Sequence, residues 1–221
     1  ETNFEKQNFP TIISEYMQNG SLDQIFKQNA ELSPSTKYII LLGIAEGMNY
    51  LHSNGIIHAK LKPTNILIDE KYNSYICDFY ESKMTDPTNL TTNSPKYIAP
   101  EILSNKPYSF TSDVYSFSLI IYELITGQDP YSDYQTAEEL QKAISEDKRP
   151  DISKIPNESI QKLITECWST NPEERPSFKL ILDEIKTENF KKAMNVNDDD
   201  SKVENYVKSL NNSLPSLYSG S

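Results

Sequence analysis

Two short segments of this sequence concentrate charged and amide side chains of the kinds found in catalytic sites. The first is His58-Ala59-Lys60-Leu61-Lys62-Pro63-Thr64-Asn65, and the second is Asp78-Phe79-Tyr80. An ammonium group has three hydrogen-bond donors and no acceptor. Lys60 therefore cannot take a proton from a hydroxyl unless it is first neutralised.

These segments resemble the catalytic loop H-R-D-L-K-P-x-N and the metal-binding D-F-G of protein kinases. Further segments continue the resemblance in the same order: Tyr97-Ile98-Ala99-Pro100-Glu101, Ser112-Asp113-Val114-Tyr115-Ser116-Phe117, Cys167-Trp168 and Pro172-Glu173-Glu174-Arg175-Pro176. The segment Glu15-Tyr16-Met17-Gln18-Asn19-Gly20-Ser21-Leu22 is most similar to the tyrosine-kinase-like group of Ser/Thr kinases. The resemblance implies a mainly α fold, namely a protein-kinase-like C-terminal (large) lobe with a short β-hairpin.

The resemblance also assigns a nucleotide site. It implies that Lys62 contacts the transferring phosphate and that Asn65 and Asp78 bind Mg²⁺. ATP would lie near Glu15 and Met17 at the hinge, with Leu67 beneath the adenine. Asn65 and Asp78 could instead be relics that only bond backbone amides, and this second interpretation is favoured if the small lobe is absent.

Three residues depart from the kinase pattern at this site. Lys60 stands where the family has the aspartate that accepts the proton of the attacking hydroxyl, and loss of such a base costs ~10²–10⁴-fold in rate. Ala59 replaces an arginine that pairs with a phosphorylated activation loop. Tyr80 replaces a glycine whose freedom in φ lets the segment flip. These departures predict a catalytically inactive pseudokinase.

The length of the chain adds a further expectation. A kinase small lobe carries a Gly-rich loop, a strand lysine and a helix glutamate, and it should precede residue 11. We therefore expect a last small-lobe strand and hinge at 1–20, a helical lobe at 21–190 and a disordered tail at 191–221. No cofactor is expected for this chain, although ATP and Mg²⁺ are implied by the family.

Further residues match structural positions of the family. The resemblance places His58 and Phe79 in a stacked internal spine. The resemblance implies that Asp113 holds the backbone of the catalytic loop. Because Asp113 also lies at the start of a predicted helix, its carboxylate could accept the exposed N–H groups of that helix. Glu101 and Arg175 match an ion pair that ties the activation segment to the helical body, as opposed to two unrelated surface charges.

Apolar spacing predicts the elements that must position these residues. The pattern favours a helix that begins at Ser33-Pro34 and ends near Gly55, and a helix over 113–126 that is buried on every side. The remaining predicted elements are a strand at 11–17, a short helix from Ser21, a hairpin of 66–69 with 75–78, helices near 136–146, 157–168 and 177–189, and a tail with one helical turn around 203–210.

Composition excludes several partners and places the chain in the cytoplasm. The net charge of −11 would be repelled by nucleic acid and by an anionic membrane, and no apolar run reaches the ~18 residues of a membrane span. Cys77 and Cys167 lie at no metal-ligand spacing, and two reduced thiols are favoured over a disulfide.

Three functions stay open. The first is a non-catalytic module that binds a protein partner, the second is an active Ser/Thr protein kinase that needs an upstream small lobe, and the third is a decayed fragment without function. The expected binding surface is the apolar face toward the small lobe, because large exposed apolar patches mark interfaces. It comprises Ile12, Ile13, Met17, Leu67 and Phe79.

Overall fold

The computed structural model of the protein describes residues 15–28, 31–78, 95–197 and 200–213. Over these residues the chain is mainly helical and carries one two-stranded antiparallel hairpin, which confirms the predicted fold class. The helices are α1 (Leu22–Lys27), α2 (Pro34–Ser53), α3 (Pro100–Leu103), α4 (Phe110–Thr126), α5 (Ala137–Ser145), α6 (Glu158–Cys167), α7 (Phe178–Ile185), α8 (Glu188–Ala193) and α9 (Ser201–Ser213), and the strands are β1 (Ile66–Ile68) and β2 (Ser74–Ile76).

Helix α4 forms the centre of the core, as its apolar sequence predicts. Every residue from 112 to 124 is buried, and α4 packs against α6 on one side and α2 on another. Ser109 caps its start by accepting the Ser112 N–H. Gly127 ends it at φ 67°, a left-handed conformation that glycine adopts without steric cost.

Helix α2 joins the core to the hairpin. Its N-cap is Ser33 and Pro34 occupies the first turn, where a proline loses no helical hydrogen bond. The helix packs along α7 and β2, so its position fixes both the C-terminal helices and the strand that precedes Asp78.

The hairpin is short and its turn is held by a single carboxylate. Ile66 pairs with Ile76 and Ile68 with Ser74. The Asp69 carboxylate accepts the backbone N–H groups of Lys71 and Asn73, at 2.8 and 2.9 Å. Such side-chain to backbone bonds are the reason aspartate favours turns.

The strand predicted at 11–17 lies mostly outside the described residues. Residues 15–17 adopt no regular secondary structure. The following turn is nevertheless attached to β1, because the Ile68 N–H donates to the Gly20 carbonyl at 2.8 Å and Ser21 forms an isolated bridge with Leu67.

The C-terminal part of the chain corrects two expectations. The helix predicted at 177–189 is divided, since α7 ends at Ile185 and Thr187 caps a new helix by accepting the Phe190 N–H. The tail from 191 was predicted to be disordered apart from one helical turn around 203–210, and that turn is part of the longer helix α9, which packs on α2. Val203 is only 6% exposed, because the few apolar residues of this polar segment share one helix face.

The described residues include no helix that is both long enough and apolar enough to cross a membrane. Both cysteines are free thiols, with Cys77 half-buried and Cys167 buried.

Candidate functional site

The loop of residues 58–65 is held by the buried carboxylate of Asp113. One carboxylate oxygen accepts the His58 N–H at 2.8 Å, and the other accepts the Ala59 N–H at 2.8 Å. Asp113 is 1% exposed. The resemblance implied this role, whereas capping of its own helix falls to Ser109.

A second contact to Asp113 comes from His52, which the sequence analysis did not single out. Its Nε2 lies 3.0 Å from the Asp113 carboxylate. The His52 ring packs against Phe110 and Phe178, with centroid distances of 4.7 and 4.9 Å. One sequence feature could have indicated this contact: His52 lies one helical turn after Met48, which belongs to the apolar face of α2.

The backbone of Lys60 is fixed on both sides. Its N–H donates to His58 Nδ1 at 3.2 Å, and its carbonyl accepts the Asn65 side-chain amide at 2.9 Å. The preceding Ala59 is held at φ 65°, in the left-handed region that few non-glycine residues occupy. These contacts leave the loop little freedom to move residue 60 away from its place.

His58 is buried at the centre of this loop, as the family spine implies. Its Nδ1 accepts the Lys60 N–H, so its Nε2 carries the proton and donates to the Cys77 carbonyl at 3.0 Å. Burial lowers the pKa of His58 below its ordinary value of 6.5. The ring is therefore neutral at pH 7. Phe79, which the resemblance places in the same spine, lies outside the described residues.

We expect the pKa of His58 to make stability depend on pH. Because its pKa is lowered on folding, the folded protein binds fewer protons than the unfolded chain once the pH falls below about 6.5. The free energy of unfolding should thus fall on acidification, with a slope of at most about 1.4 kcal/mol per pH unit from this residue. Urea unfolding between about pH 7.5 and about pH 5.5 measures this slope.

The matched variant for this experiment is His58→Gln, which removes the titrating ring. For this variant, the change in the free energy of unfolding per pH unit over the same range should be smaller than for the wild type. His52→Gln serves as the comparison, since the chain has only these two histidines. An unchanged slope in His58→Gln would contradict the buried neutral ring.

Asn65 and Asp78 lie at opposite ends of the hairpin and are brought together by its pairing. The Asn65 carbonyl accepts the Cys77 N–H at 3.0 Å, which places Asp78 one residue beyond. Asn65 is 5% exposed, and its amide nitrogen donates to the Lys60 carbonyl. Its side-chain oxygen accepts a hydrogen bond from the Thr64 hydroxyl at 3.3 Å. Asp78 is exposed and has φ 61°.

The chemistry of this donor pair fits a magnesium ion. Mg²⁺ is bound by oxygen ligands, commonly one or two carboxylates with waters and substrate phosphates. Asn65 and Asp78 each offer such an oxygen, and Lys62 is half-buried on the same loop. Among the described residues, no group of three or more His, Cys, Asp or Glu side chains is close enough to hold a metal.

Of the residues predicted to hold the nucleotide, Leu67 lies within β1 and Met17 begins the turn attached to it. Met17 and Leu67 are both half-buried, and Glu15 is exposed. The Met17 carbonyl accepts the Gly20 N–H at 3.0 Å. This turn is hydrogen-bonded to Ile68 and is followed by the bridge of Ser21 with Leu67, so it lies along the edge of β1.

Glu101 and Arg175 form a bidentate ion pair away from this loop. The two distances between guanidinium nitrogens and carboxylate oxygens are 2.7 and 2.9 Å, and the side chains are 8% and 0% exposed. Arg175 also donates to the carbonyls of Ser169 and Thr111, both at 2.9 Å. It therefore joins the start of α3 to the start of α4.

A ring contact of Arg175 was not predicted from the sequence. The guanidinium carbon lies 5.1 Å from the ring centroid of Tyr115, and that of Arg149 lies 5.3 Å from the same ring. Cations over an aromatic face are attracted by its quadrupole. Tyr115 sits inside a recognised motif, but no spacing rule relates it to either arginine.

The chain is similar in sequence to known protein kinases. The family model described as protein tyrosine and serine/threonine kinase matches residues 3–185. A probable serine/threonine-protein kinase of Dictyostelium discoideum is 38% identical over 174 residues, which cover 77% of this chain and 13% of that protein. The dual specificity protein kinase pyk3 of the same organism is 38% identical over 181 residues, or 80% of this chain and 14% of its own length.

A plant relative gives a similar result. The serine/threonine-protein kinase CTR1 of Arabidopsis thaliana is 35% identical over 182 residues, which cover 78% of this chain and 22% of CTR1. The chain thus spans between about an eighth and about a fifth of the length of these three relatives.

Proposed function

Because this chain belongs to the protein tyrosine and serine/threonine kinase family, we propose that it is a pseudokinase lobe, which binds a protein partner and does not transfer phosphate. The family uses ATP and Mg²⁺. The single observation that carries the proposal is Lys60, at the position where the family has its catalytic aspartate.

The fixed backbone around Lys60 supports this proposal. Hydrogen bonds on both sides hold residue 60 where the loop presents it, so a neighbouring carboxylate cannot be moved into its place by a small shift. An ammonium cannot accept the proton of an attacking hydroxyl. It also brings a positive charge to a site where Asn65 and Asp78 would otherwise hold Mg²⁺.

An active Ser/Thr kinase is the second candidate, and the retained residues favour it. Lys62, Asn65 and Asp78 all match the family pattern, and the relatives above are named as kinases. Such an enzyme would have to work without the positioned base, which costs ~10²–10⁴-fold in rate.

Restoring the base separates the two candidates. In the complete native polypeptide, the wild type should show no phosphoryl transfer above an Asp78→Ala background in a radiolabelled-ATP assay. Lys60→Asp should raise turnover by about 10²-fold or more if the rest of the site is competent. Lys60→Ala is the control, because it removes the ammonium without supplying a base. Wild-type turnover that disappears in Asn65→Ala would overturn the proposal.

The partner surface is proposed to lie around Met17 and Leu67, where the turn of residues 17–20 meets the edge of β1. Tyr16 is 78% exposed beside them, and aromatic side chains are enriched at protein interfaces. The protein is proposed to work in the cytoplasm, in keeping with its two free thiols, and cell fractionation tests this placement.

We expect Tyr16→Lys to weaken partner capture without lowering the melting temperature, since this side chain contributes little buried area. Tyr50→Lys is the matched control, because Tyr50 is an exposed tyrosine of α2, 43% exposed. Quantitative co-purification of the native polypeptide with each variant measures the effect. Equal capture by both variants would exclude Tyr16 from the binding surface.

A further inference from the structure

A cavity of about 450 Å³ lies between the start of α2, the hairpin turn and α9. This volume is within the range of small-molecule sites, which is roughly 300–1,000 Å³. Its lining residues are Thr36, Ile39, Glu70, Lys71, Tyr72, Asn73, Lys202, Asn205, Tyr206 and Ser209. Helix α9 follows residue 185, where the family match ends, so this wall of the cavity lies outside the matched segment.

Helix α9 is docked firmly enough to form that wall. Asp200 accepts the N–H of Lys202 at 2.9 Å and also the hydroxyl of Ser35 on α2. One turn later, the Tyr206 side chain reaches α2 at Gly43, where an added Cβ would lie 2.7 Å from its hydroxyl oxygen. Burial raises the pKa of Tyr206 well above its ordinary value, in keeping with a ring packed against the lobe.

The opposite wall is the hairpin turn, which is rigid. The Asp69 carboxylate accepts the N–H of Lys71, and both the N–H and the side-chain amide of Asn73. Tyr72 between them is held at φ 67°, a conformation that bulky residues rarely adopt and that is concentrated at functional positions. The turn thereby presents the half-buried Tyr72 ring to the cavity in a fixed arrangement.

The lining combines one aliphatic side chain and two tyrosine rings with polar side chains and two lysines. Ile39 is 4% exposed, and the two rings are those of Tyr72 and Tyr206. Within the described residues, neither the Lys71 nor the Lys202 ammonium makes an ion pair. Some other exposed lysines do, for example Lys208 with Glu204.

Lys71 and Lys202 both line this one cavity, in a chain of net charge −11. Among the described lining residues Glu70 is the one acidic side chain, and the nearby Asp200 carboxylate also attracts the Lys202 ammonium. A ligand anion between Lys71 and Lys202 would gain charge-assisted hydrogen bonds from both.

We propose that this cavity binds a small molecule with a flat apolar body and one anionic group. The body lies between Tyr72 and Tyr206 over Ile39, and the anion lies between Lys71 and Lys202. Binding stabilises the docked position of α9, because the ligand contacts both walls and the cavity exists only when α9 is in place.

Naphthalenesulfonate is a suitable probe, with the cation naphthylmethylammonium as its charge-reversed counterpart. Titration of the ¹⁵N-labelled chain should shift the amide signals of the hairpin turn and of α9. The anion should bind at least about tenfold more tightly than the cation. The double variant Lys71→Glu/Lys202→Glu should reverse this preference.

Two further variants keep the test specific. Lys106→Glu/Lys192→Glu changes the net charge equally at exposed lysines elsewhere and should leave the affinity for the anion unchanged. Asn205→Trp fills the cavity mouth from α9 without changing charge and should abolish binding while the helix content remains. Equal affinity for the two probes, shifts confined to another surface, or no shift at about 1 mM probe would overturn the proposal.

Discussion

Replacing Arg175 with alanine should lower the free energy of unfolding by about 3–5 kcal/mol. The substitution leaves Glu101 as an unpaired carboxylate that is only 8% exposed. It also leaves the carbonyls of Ser169 and Thr111 without their guanidinium donors. Urea unfolding of the wild type and the variant measures the difference.

The double variant Arg175→Ala/Glu101→Leu provides the control for this prediction. It should be more stable than Arg175→Ala alone, because the stranded charge has been removed with its partner. Arg175→Lys should lie between the wild type and Arg175→Ala, since a lysine keeps the charge but cannot form the bidentate pair. A loss below about 1 kcal/mol for Arg175→Ala would indicate an ion pair no stronger than an exposed one.

Asp113→Ala should lower the free energy of unfolding by about 2–6 kcal/mol, because it strands two buried backbone N–H groups at about 1–3 kcal/mol each. These are the N–H groups of His58 and Ala59, each 2.8 Å from the carboxylate. Ala59 would also lose the contact that holds its left-handed backbone. We therefore expect residues 58–60 to show faster amide hydrogen exchange in the variant, in addition to the lower free energy of unfolding.

Asp183→Ala is the matched control for this second experiment. Asp183 is 59% exposed and pairs with Lys179 of its own helix, so its loss should cost below about 1 kcal/mol. If Asp113→Ala had an effect as small as that of Asp183→Ala, the carboxylate would not be what holds the loop.

The elements nearest the core could be predicted from the sequence because their patterns are strong. Helix α4 is apolar over most of its length, and only burial on every side accommodates such a helix. Helix α2 begins with Ser33 and Pro34, which combine a capping side chain with a residue suited to the first turn.

The C-terminal segment could not be predicted in the same way. Its Asn, Asp and Ser content is typical of disordered chains, and only the spacing of Val203, Tyr206, Val207 and Leu210 indicates a helix face. A face this narrow becomes stable when it packs against another surface. That surface is provided by α2, at a glycine that leaves room for the Tyr206 side chain.

The candidate site was likewise predictable from the sequence only in part. The positions of Lys60, Asn65 and Asp78 along the chain followed from motifs, and so did the partnership of Glu101 with Arg175. The contacts of His52 with Asp113 and of Arg175 with Tyr115 did not, because they depend on how separate helices cross. Which residue accepts the N–H groups of the 58–65 loop is likewise decided by tertiary packing.

The ion pair of Glu101 and Arg175 also bears on how the lobe folds and unfolds. Its partners are 74 residues apart in sequence, and contacts across so long a loop form only after much of the chain has been ordered. Interactions that are absent from the folding transition state slow unfolding without accelerating folding. We therefore expect Arg175→Ala to shorten the lifetime of the folded lobe while leaving its refolding rate nearly unchanged, so that this buried charge pair governs how long the fold persists.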